Sequence, residues 1–434
     1  MKIAVVGAGS AQFLGELGDL AALTGIGPYE LALHDVDASR LAVVTQLSRR
    51  VAEATRTPCS VTDHAERAAA LDGAMAVVVS VGVGQQRSIE PDFSVPASYG
   101  LRQTVADTLG IGAIMRILRT APVLAGIADD LCRHGADDAL YLNVSNPMAM
   151  SVMALSQLCP QVPVVGLCHS VWVTATSLAQ LLGYRVERLQ YLAAGVNHQA
   201  WFLQLEHEGQ DLYPRLLELA HGDEPFAATV RADVLRRLGC YPTESSKHNA
   251  EYVPWYLPWP EQVERYDLPV NPFEQRRRDN GQWFAEAEQI ASGQAAIPLE
   301  EIPSGEYAPR IIRAIVTDEP DEVYVNVPNA ADWVPGLPSW GAVEVPARVS
   351  AAGVEPKVVP GLPPQCAAVN RRYLDVCDLA VRAVVTGQRD HVHHAALLDP
   401  NTSASLPPDR IAALVDELLD RHQELGYLPE PLWR

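Results

Sequence analysis

Lys2-Ile3-Ala4-Val5-Val6-Gly7-Ala8-Gly9-Ser10 is the stretch that decides the fold of this chain. Its first five residues predict a short strand, which breaks into a glycine turn just before a helix. Such a turn brings backbone N–H groups and a helix N-terminus against the pyrophosphate of a dinucleotide. The match to the dinucleotide-binding fingerprint is partial, because Gln12 stands where the third glycine belongs and Phe13 follows it.

An acidic residue ends the second predicted strand, where a bound dinucleotide would place its ribose. Asp35 lies 28 residues after Gly7 and can accept hydrogen bonds from ribose hydroxyls, and Asp37 is the competing candidate. A carboxylate here favours NAD over NADP, because it repels a 2′-phosphate. The predicted cofactor-binding residues are Gly7, Gly9, Ser10, Phe13 and Asp35.

The first half of the chain alternates short apolar strands with helical stretches. This alternation predicts an α/β fold with a Rossmann-type, doubly wound parallel sheet, whose strands are apolar because helices cover both faces. We predict strands at 2–6, 31–34, 75–81, 139–143 and 164–167, and the clearest helices at 114–132 and 171–182.

The pattern becomes less regular after about residue 190. Proline and tryptophan crowd 252–260, a strand is predicted at 323–327, and long helices return at 369–386 and 408–424. We therefore predict a Rossmann domain at 1–190 and a second, α+β domain at 191–434, which would carry substrate and metal contacts and the oligomer interface.

Composition excludes several classes of partner. The 33 Lys and Arg against 53 Asp and Glu give a net charge of -20, which disfavours nucleic acid and anionic membranes. No apolar run reaches the ~20 residues of a membrane span. The strand that begins at Lys2 leaves no room for a signal peptide, and the seven cysteines show no paired spacing. We therefore expect a cytoplasmic enzyme that acts on a small molecule.

Polar residues follow the strands at the edge of the sheet where ligands bind in α/β folds. Cys168 comes directly after a predicted strand and can bind a metal as a thiolate, and His198 can supply a neutral imidazole. From these residues alone a buried small cysteine and a hydrogen-bonded histidine remain the more common interpretation.

Several motifs, taken together and in order along nearly the whole chain, resemble glycoside hydrolase family 4. The motifs that carry the resemblance are Gly7-Ala8-Gly9-Ser10, Asp107-Thr108-Leu109-Gly110, Asn143-Val144-Ser145-Asn146-Pro147-Met148, Cys168-His169-Ser170-Val171, Gly195-Val196-Asn197-His198, Glu251-Tyr252-Val253-Pro254-Trp255, Val343-Glu344-Val345-Pro346 and His393-His394-Ala395-Ala396-Leu397-Leu398-Asp399-Pro400. The Cys-His-Ser-Val form resembles the α-galactosidases of that family.

The resemblance implies a redox route to hydrolysis. NAD⁺ takes hydride from carbon 3 of the sugar, which acidifies the proton on carbon 2 and permits elimination; water then adds and the hydride returns. A divalent metal, expected to be Mn²⁺, would stabilise the charge that develops on the sugar oxygens. The resemblance also implies a lactate/malate dehydrogenase-like architecture and a homodimer or homotetramer.

The same resemblance assigns roles to particular residues. It makes Cys168 and His198 the metal ligands and Tyr252 the base at carbon 2. His169 would protonate the leaving oxygen, and Asn146 and Asp107 would hydrogen-bond sugar hydroxyls.

Two residues depart from the α-galactosidase pattern, and two other classes of protein remain open. Lys247 and Gly305 stand where the α-galactosidase pattern has Glu and Arg, so glucose or a uronic acid remains open as the sugar. A 2-hydroxyacid dehydrogenase shares the nucleotide half but leaves Cys168 unexplained. A regulatory NAD-binding protein would carry a degenerate site, whereas every position here holds a competent residue.

Overall fold

The computed structural model describes residues 1–10, 14–222, 225–299 and 304–428 of the chain, so Phe13 lies outside the described residues. Its strands, β1 to β13, span Lys2–Val6, Tyr29–His34, Cys59–His64, Ala76–Val79, Leu140–Asn143, Val164–Gly166, Leu189–Val196, Gln199–His207, Gln210–Asp211, Tyr241–Pro242, Asp321–Pro328, Ala342–Ser350 and Gly353–Pro356. Its helices, α1 to α17, span Leu14–Ala21, Ala38–Thr55, Arg67–Leu71, Gln85–Ser98, Ile111–His134, Met148–Leu158, Ser170–Leu182, Tyr213–His221, Val230–Leu238, Ser246–Glu251, Pro260–Arg265, Phe273–Ser292, Tyr307–Thr317, Pro364–Thr386, Asp390–Leu398, Pro400–Ser405 and Pro408–Glu424.

The first six strands form the parallel part of the sheet. Their spatial order is β3-β2-β1-β4-β5-β6, which is the strand order of a Rossmann fold. The order reverses between β1 and β4, so the carboxyl ends of these two strands open a crevice at the edge where such folds bind their ligands. The predicted doubly wound sheet is confirmed.

All five strands predicted in this half are present, and one more, β3, was missed. The central strands β1 and β4 are buried because helices cover both faces of the sheet. Strand β3 lies at the edge of the sheet and reads Cys-Ser-Val-Thr-Asp-His, with only Val61 buried. An edge strand with polar side chains has no apolar run, so the apolar pattern could not reveal it.

The sheet continues without a break into the second half of the chain. Strand β11 pairs antiparallel with β6 through Asn326 and Gly166, and the order then runs through β12, β7, β8 and β10. The chain therefore turns from a parallel to an antiparallel sheet at β6. The pairing of β6 with β11 joins the two halves of the chain in one sheet. The domain boundary at residue 190 stays a prediction.

Helix α5 is the one helix in the described ranges that is long and apolar enough to cross a membrane. In this fold 72% of its most apolar window is buried inside the protein, as in the core helix of a globular protein. It packs against α6 and α14, which ties the last helices to the Rossmann half.

A buried ionic network links the C-terminal helix to this core. Asp92 on α4 receives hydrogen bonds from Arg119 on α5, at 2.5 and 3.3 Å, and lies 2.8 Å from Nε2 of His422 on α17. All three side chains are shielded from solvent. Burial opposes the charged form of Asp92, but Arg119 and His422 outweigh it and lower the pKa of this carboxyl group.

We predict that Asp92→Asn lowers the free energy of unfolding by ~3–5 kcal/mol, because it leaves the Arg119 charge buried without a counterion. Asp378→Asn is the matched control, since its partner Arg382 is exposed and the pair is worth only ~0–1 kcal/mol. Thermal unfolding of both variants beside the wild type measures the difference. Equal melting temperatures for the two variants would contradict a stabilising role for the network.

Candidate active site

A cleft of about 1060 Å³ opens at the carboxyl ends of the parallel strands. Its lining includes Gly7, Ser10 and Asp35, which were predicted to bind the cofactor, and Asn146, which was predicted to contact the sugar. The topology of a Rossmann sheet places these four residues at one edge, although they are far apart in sequence. Their individual roles stay predictions.

Gly7 holds the turn against strand β4. Its φ of +82° is in the left-handed region, and a Cβ atom there would stand 2.1 Å from the carbonyl oxygen of Ser80. The N–H groups of Gly7 and Ala8 both donate to the carbonyl oxygen of His34, which fastens the turn to β2. Only glycine fits this approach of backbone to backbone.

The sequence left open whether Asp35 or Asp37 would bind the ribose, and the structure gives the two carboxylates different partners. The Asp35 carboxylate accepts from the N–H of Gly9 and from that of Asp37, each at 2.8 Å. Each carboxylate oxygen keeps a second lone pair, so Asp35 can still accept from a ribose. Asp37 caps helix α2 by accepting from the N–H groups of Ser39 and Arg40. The geometry therefore favours Asp35 over Asp37.

The two predicted metal ligands come together in the fold. Cys168 follows β6, and His198 lies in the tight turn between β7 and β8 with φ of +62°. The Sγ atom of Cys168 is 3.2 Å from Nε2 of His198. Burial raises the pKa of the Cys168 thiol to about 12, and the Glu344 carboxylate adds to that rise. A metal would therefore have to displace the thiol proton.

Two carboxylates near this pair were not predicted. Glu244 has Oε2 at 3.9 Å from His198 Nε2 and Oε1 at 3.2 Å from His248 Nδ1, and its φ of +68° marks a strained position. Glu344 on β12 is fully buried and accepts from the amides of Asn326 and Asn197. Burial raises the pKa of Glu344 to about 7.

The sequence marks Glu344 but gives no sign of Glu244 or His248. Glu344 lies in a motif that carries the family resemblance, so it was within reach of the sequence. Glu244 and His248 lie in and around the short helix α10, where no periodic pattern marks them. Only the fold brings them beside His198.

Tyr252 lies in the same cluster of side chains. It is buried, and its hydroxyl has no hydrogen-bond partner among the described residues. The His248 ring bridges the cluster, with its centroid 4.7 Å from that of His198 and 6.3 Å from that of Tyr252. Burial, with the nearby Tyr373 and Asp107, raises the pKa of Tyr252 well above its usual value.

A buried glutamate fastens the loop that precedes α5. The Glu251 carboxylate accepts from the backbone N–H groups of Thr104, Val105 and Ala106 at 2.6 to 3.1 Å. Burial raises the pKa of Glu251 to about 7, although these three donors lower it. This clamp fixes the position of the next residue, Asp107.

Asp107 is buried among charged and polar groups. It accepts from the Thr108 hydroxyl at 2.8 Å and lies 3.8 Å from both His248 Nε2 and Arg276 Nη2. Burial opposes its charge, but His248, Arg116 and Arg276 outweigh burial and lower the pKa of Asp107. Its predicted sugar contact stays a prediction.

His169, the predicted acid, pairs with a carboxylate that the sequence did not reveal. Its Nδ1 forms an ion pair with Glu306, and the imidazole is half-exposed. The hydrogen bond to Glu306 raises the pKa of His169 to about 9, against the opposing effect of burial. The ring therefore carries a proton at neutral pH while its Nε2 is left to donate.

The two departures from the α-galactosidase pattern have different surroundings. Lys247 is exposed, on the short helix α10. Gly305 has φ of +91°, and a Cβ atom there would come within 3.0 Å of the Trp172 ring. An arginine at this position would require Trp172 to move.

The chemistry of the donors fits a divalent transition metal. A thiolate and an imidazole are ligands that such ions accept. Within the described ranges, no three His, Cys, Asp or Glu side chains form a group that could hold an ion. Cys168 and His198 would supply two protein ligands, and the other coordination positions would fall to substrate oxygens and solvent.

Comparison with known proteins identifies the class. The model of the family 4 glycosyl hydrolases matches residues 2–184, and that of their C-terminal domain matches residues 193–402. The α-galactosidase of Bacillus subtilis (strain 168) is 35% identical over 436 residues, with 99% of each chain covered. This chain therefore belongs to glycoside hydrolase family 4.

Solved structures show the same fold. A 6-phospho-α-glucosidase from gut microorganisms, solved with NAD and glucose-6-phosphate, superposes with a TM-score of 0.85 at 20% identity and covers 99% of each chain. Malate dehydrogenase of Cryptosporidium parvum gives a TM-score of 0.52 at 12% identity, covering 88% of this chain and 98% of its own. The predicted dehydrogenase-like architecture is confirmed, and family membership favours the glycosidase over the 2-hydroxyacid dehydrogenase.

Proposed function

We propose that this enzyme is an α-galactosidase that hydrolyses unphosphorylated α-galactosides with NAD⁺ and a divalent metal, expected to be Mn²⁺. The observation that carries the proposal is the 3.2 Å approach of Cys168 Sγ to His198 Nε2, in one cluster with Tyr252. The likeness to the B. subtilis α-galactosidase over 99% of both chains supports the choice of sugar. We further expect a cytoplasmic homodimer or homotetramer.

The residues divide the chemistry between cofactor binding and proton transfer. When bound, NAD⁺ supplies a hydride acceptor for carbon 3, and the metal polarises the sugar oxygens on carbons 2 and 3. Gly7, Ser10 and Asp35 line the cleft that would hold the dinucleotide, and Cys168 and His198 would hold the metal. Asn146, in the same cleft, would orient the sugar.

Tyr252 takes the proton from carbon 2. Its phenol is buried in the cluster that contains His198 and His248. Burial keeps the phenol protonated, and a cation at Cys168 and His198 is the group that would favour the phenolate. The base and the metal therefore depend on each other.

His169 gives a proton to the leaving oxygen. Glu306 pairs with Nδ1 of His169 and favours the protonated ring, so Nε2–H is the donor that remains. The half-exposed position of His169 suits a group that meets the departing alcohol and then regains a proton from solvent.

Arginines in the cleft favour an α-galacturonidase as the second candidate. Arg116 and Arg276 line the same cleft as Asn146, and guanidinium groups pair well with carboxylates. Burial lowers the pKa of Arg116 to about 10, which leaves it charged at neutral pH. The carboxylate of a uronic acid could meet these side chains.

A panel of aryl α-glycosides separates the candidates. With NAD⁺ and Mn²⁺, we expect the galactoside to release phenol fastest, with no net NADH because the hydride returns to the sugar. The glucoside, the galacturonide and the 6-phospho-glucoside should react at least tenfold more slowly in kcat/KM. Preference for the galacturonide would move the assignment to the second candidate, and accumulation of NADH would contradict both.

We predict that Tyr252→Phe lowers kcat by roughly 10²- to 10⁴-fold, the usual loss for a general base. The ring and its packing against Tyr373 remain, so thermal unfolding should change little. Tyr256→Phe is the matched control, because Tyr256 is equally buried but donates to Asp233 outside the site. Full activity in Tyr252→Phe, or an equal loss in both variants, would remove Tyr252 from the reaction.

A further inference from the structure

The hydroxyl of Thr108 lies between the carboxylate of Asp107 and the imidazole of His198. Its Oγ1 is 2.8 Å from Asp107 Oδ1 and 2.9 Å from His198 Nδ1. All three residues are buried, and Thr108 is fully so. The three groups therefore form a continuous, buried chain of two hydrogen bonds.

Counting protons along this chain fixes their direction. The positive groups around Asp107 lower its pKa, so its carboxylate is ionised and can only accept. A hydroxyl has a single proton, and that of Thr108 is donated to Asp107. The second contact of Thr108 must then be one in which its oxygen accepts, so Nδ1 of His198 carries a hydrogen.

The other ring nitrogen is thereby left with its lone pair. In a neutral imidazole only one nitrogen carries hydrogen, and Nε2 of His198 is the atom that faces Cys168 Sγ at 3.2 Å and Glu244 Oε2 at 3.9 Å. We infer that Thr108 is a positioning residue that holds His198 in the tautomer able to bind the metal through Nε2. This inference rests on the proposed function, which assigns His198 to the metal.

The surrounding structure holds Thr108 in place for this role. The preceding backbone is clamped by Glu251, and the Tyr373 hydroxyl donates to the carbonyl oxygen of Thr108 at 3.4 Å. Without the Thr108 oxygen, Nδ1–H would be a buried donor with no acceptor, and the ring would shift toward the tautomer with hydrogen on Nε2. That hydrogen would point at the position of the metal.

Manganese binding by three threonine variants tests the inference. Thr108→Val removes the oxygen and should weaken Mn²⁺ binding by ~10- to 100-fold, the usual effect of losing such a partner. Thr108→Ser keeps the oxygen and should stay within about threefold of the wild type, well below that range. Thr120→Val is the control, because Thr120 is equally buried but its hydroxyl has no partner in the described structure. Titration followed by electron paramagnetic resonance measures free Mn²⁺ directly, without any turnover.

A second measurement needs no variant. Nitrogen-15 spectra of the metal-free wild type, labelled at histidine, distinguish the two tautomers, and His198 should carry its hydrogen on Nδ1. Hydrogen on Nε2 would overturn the inference whether or not the variants fold. So would equal Mn²⁺ affinity in folded Thr108→Val and Thr108→Ser.

Cys168→Ser separates the inference from the function on which it rests. If Cys168→Ser loses Mn²⁺ while Thr108→Val binds it like the wild type, the role of Thr108 is wrong and the metal site stands. If Cys168→Ser also binds Mn²⁺ like the wild type, both the metal assignment and the role of Thr108 fall.

Discussion

The approach of the Cys168 sulfur to the His198 imidazole depends on a single sheet that runs through both halves of the chain. Cys168 follows the last parallel strand, and His198 lies in the turn of an antiparallel hairpin more than one strand away. Strands β11 and β12 lie between them and fix their separation through the backbone ladder. Asn326 and Glu344 extend from these two strands, and the Asn326 amide donates to the Glu344 carboxylate.

Several acidic groups of the cluster have pKa values that a nearby cation would lower. Burial raises the pKa of the Cys168 thiol and of the Tyr252 phenol, so both are neutral at pH 7 on their own. Glu344 has a pKa near neutrality for the same reason, with a value of about 7. A divalent ion held between Cys168 and His198 would favour the charged form of each group at once. In the proposed mechanism, metal binding would therefore also activate the base.

A cation held by Cys168 and His198, as proposed, would also offset some of the buried polarity of the cluster. Within the described part of the chain, Asn197 Oδ1 and Glu344 Oε2 are buried and have no hydrogen-bond partner. Such groups cost free energy in an apolar interior. A site that binds a cation recovers part of that cost.

The sequence predicted the elements with a strong local signal. Apolar runs predicted strand β1 and the alternation of strands and helices. Gly7 predicted the turn after β1, and its φ in the structure is in the left-handed region that favours glycine. The edge strand β3 escaped because it has no apolar run. Cys168 and His198 were suggestive alone, and the collinear motifs made them specific.

What the sequence could not provide are contacts made by the fold. Glu251 meets a loop 145 residues away, and Thr108 meets His198 at a separation of 90 residues. Neither pairing leaves a periodic signal, because the residues share no helix or strand. The direction of the hydrogen bond from His198 to Thr108 emerges only when the neighbours of Asp107 are known.

In the proposed mechanism, oxidation at carbon 3 acidifies the proton on carbon 2, and the glycosidic bond is then cleaved by elimination. The most direct test is hydrolysis of an aryl α-galactoside by the wild-type enzyme in D₂O with NAD⁺ and Mn²⁺, followed by NMR of the released galactose. We expect deuterium on carbon 2. A product that keeps its original hydrogen there would show direct displacement at carbon 1 and would exclude the elimination.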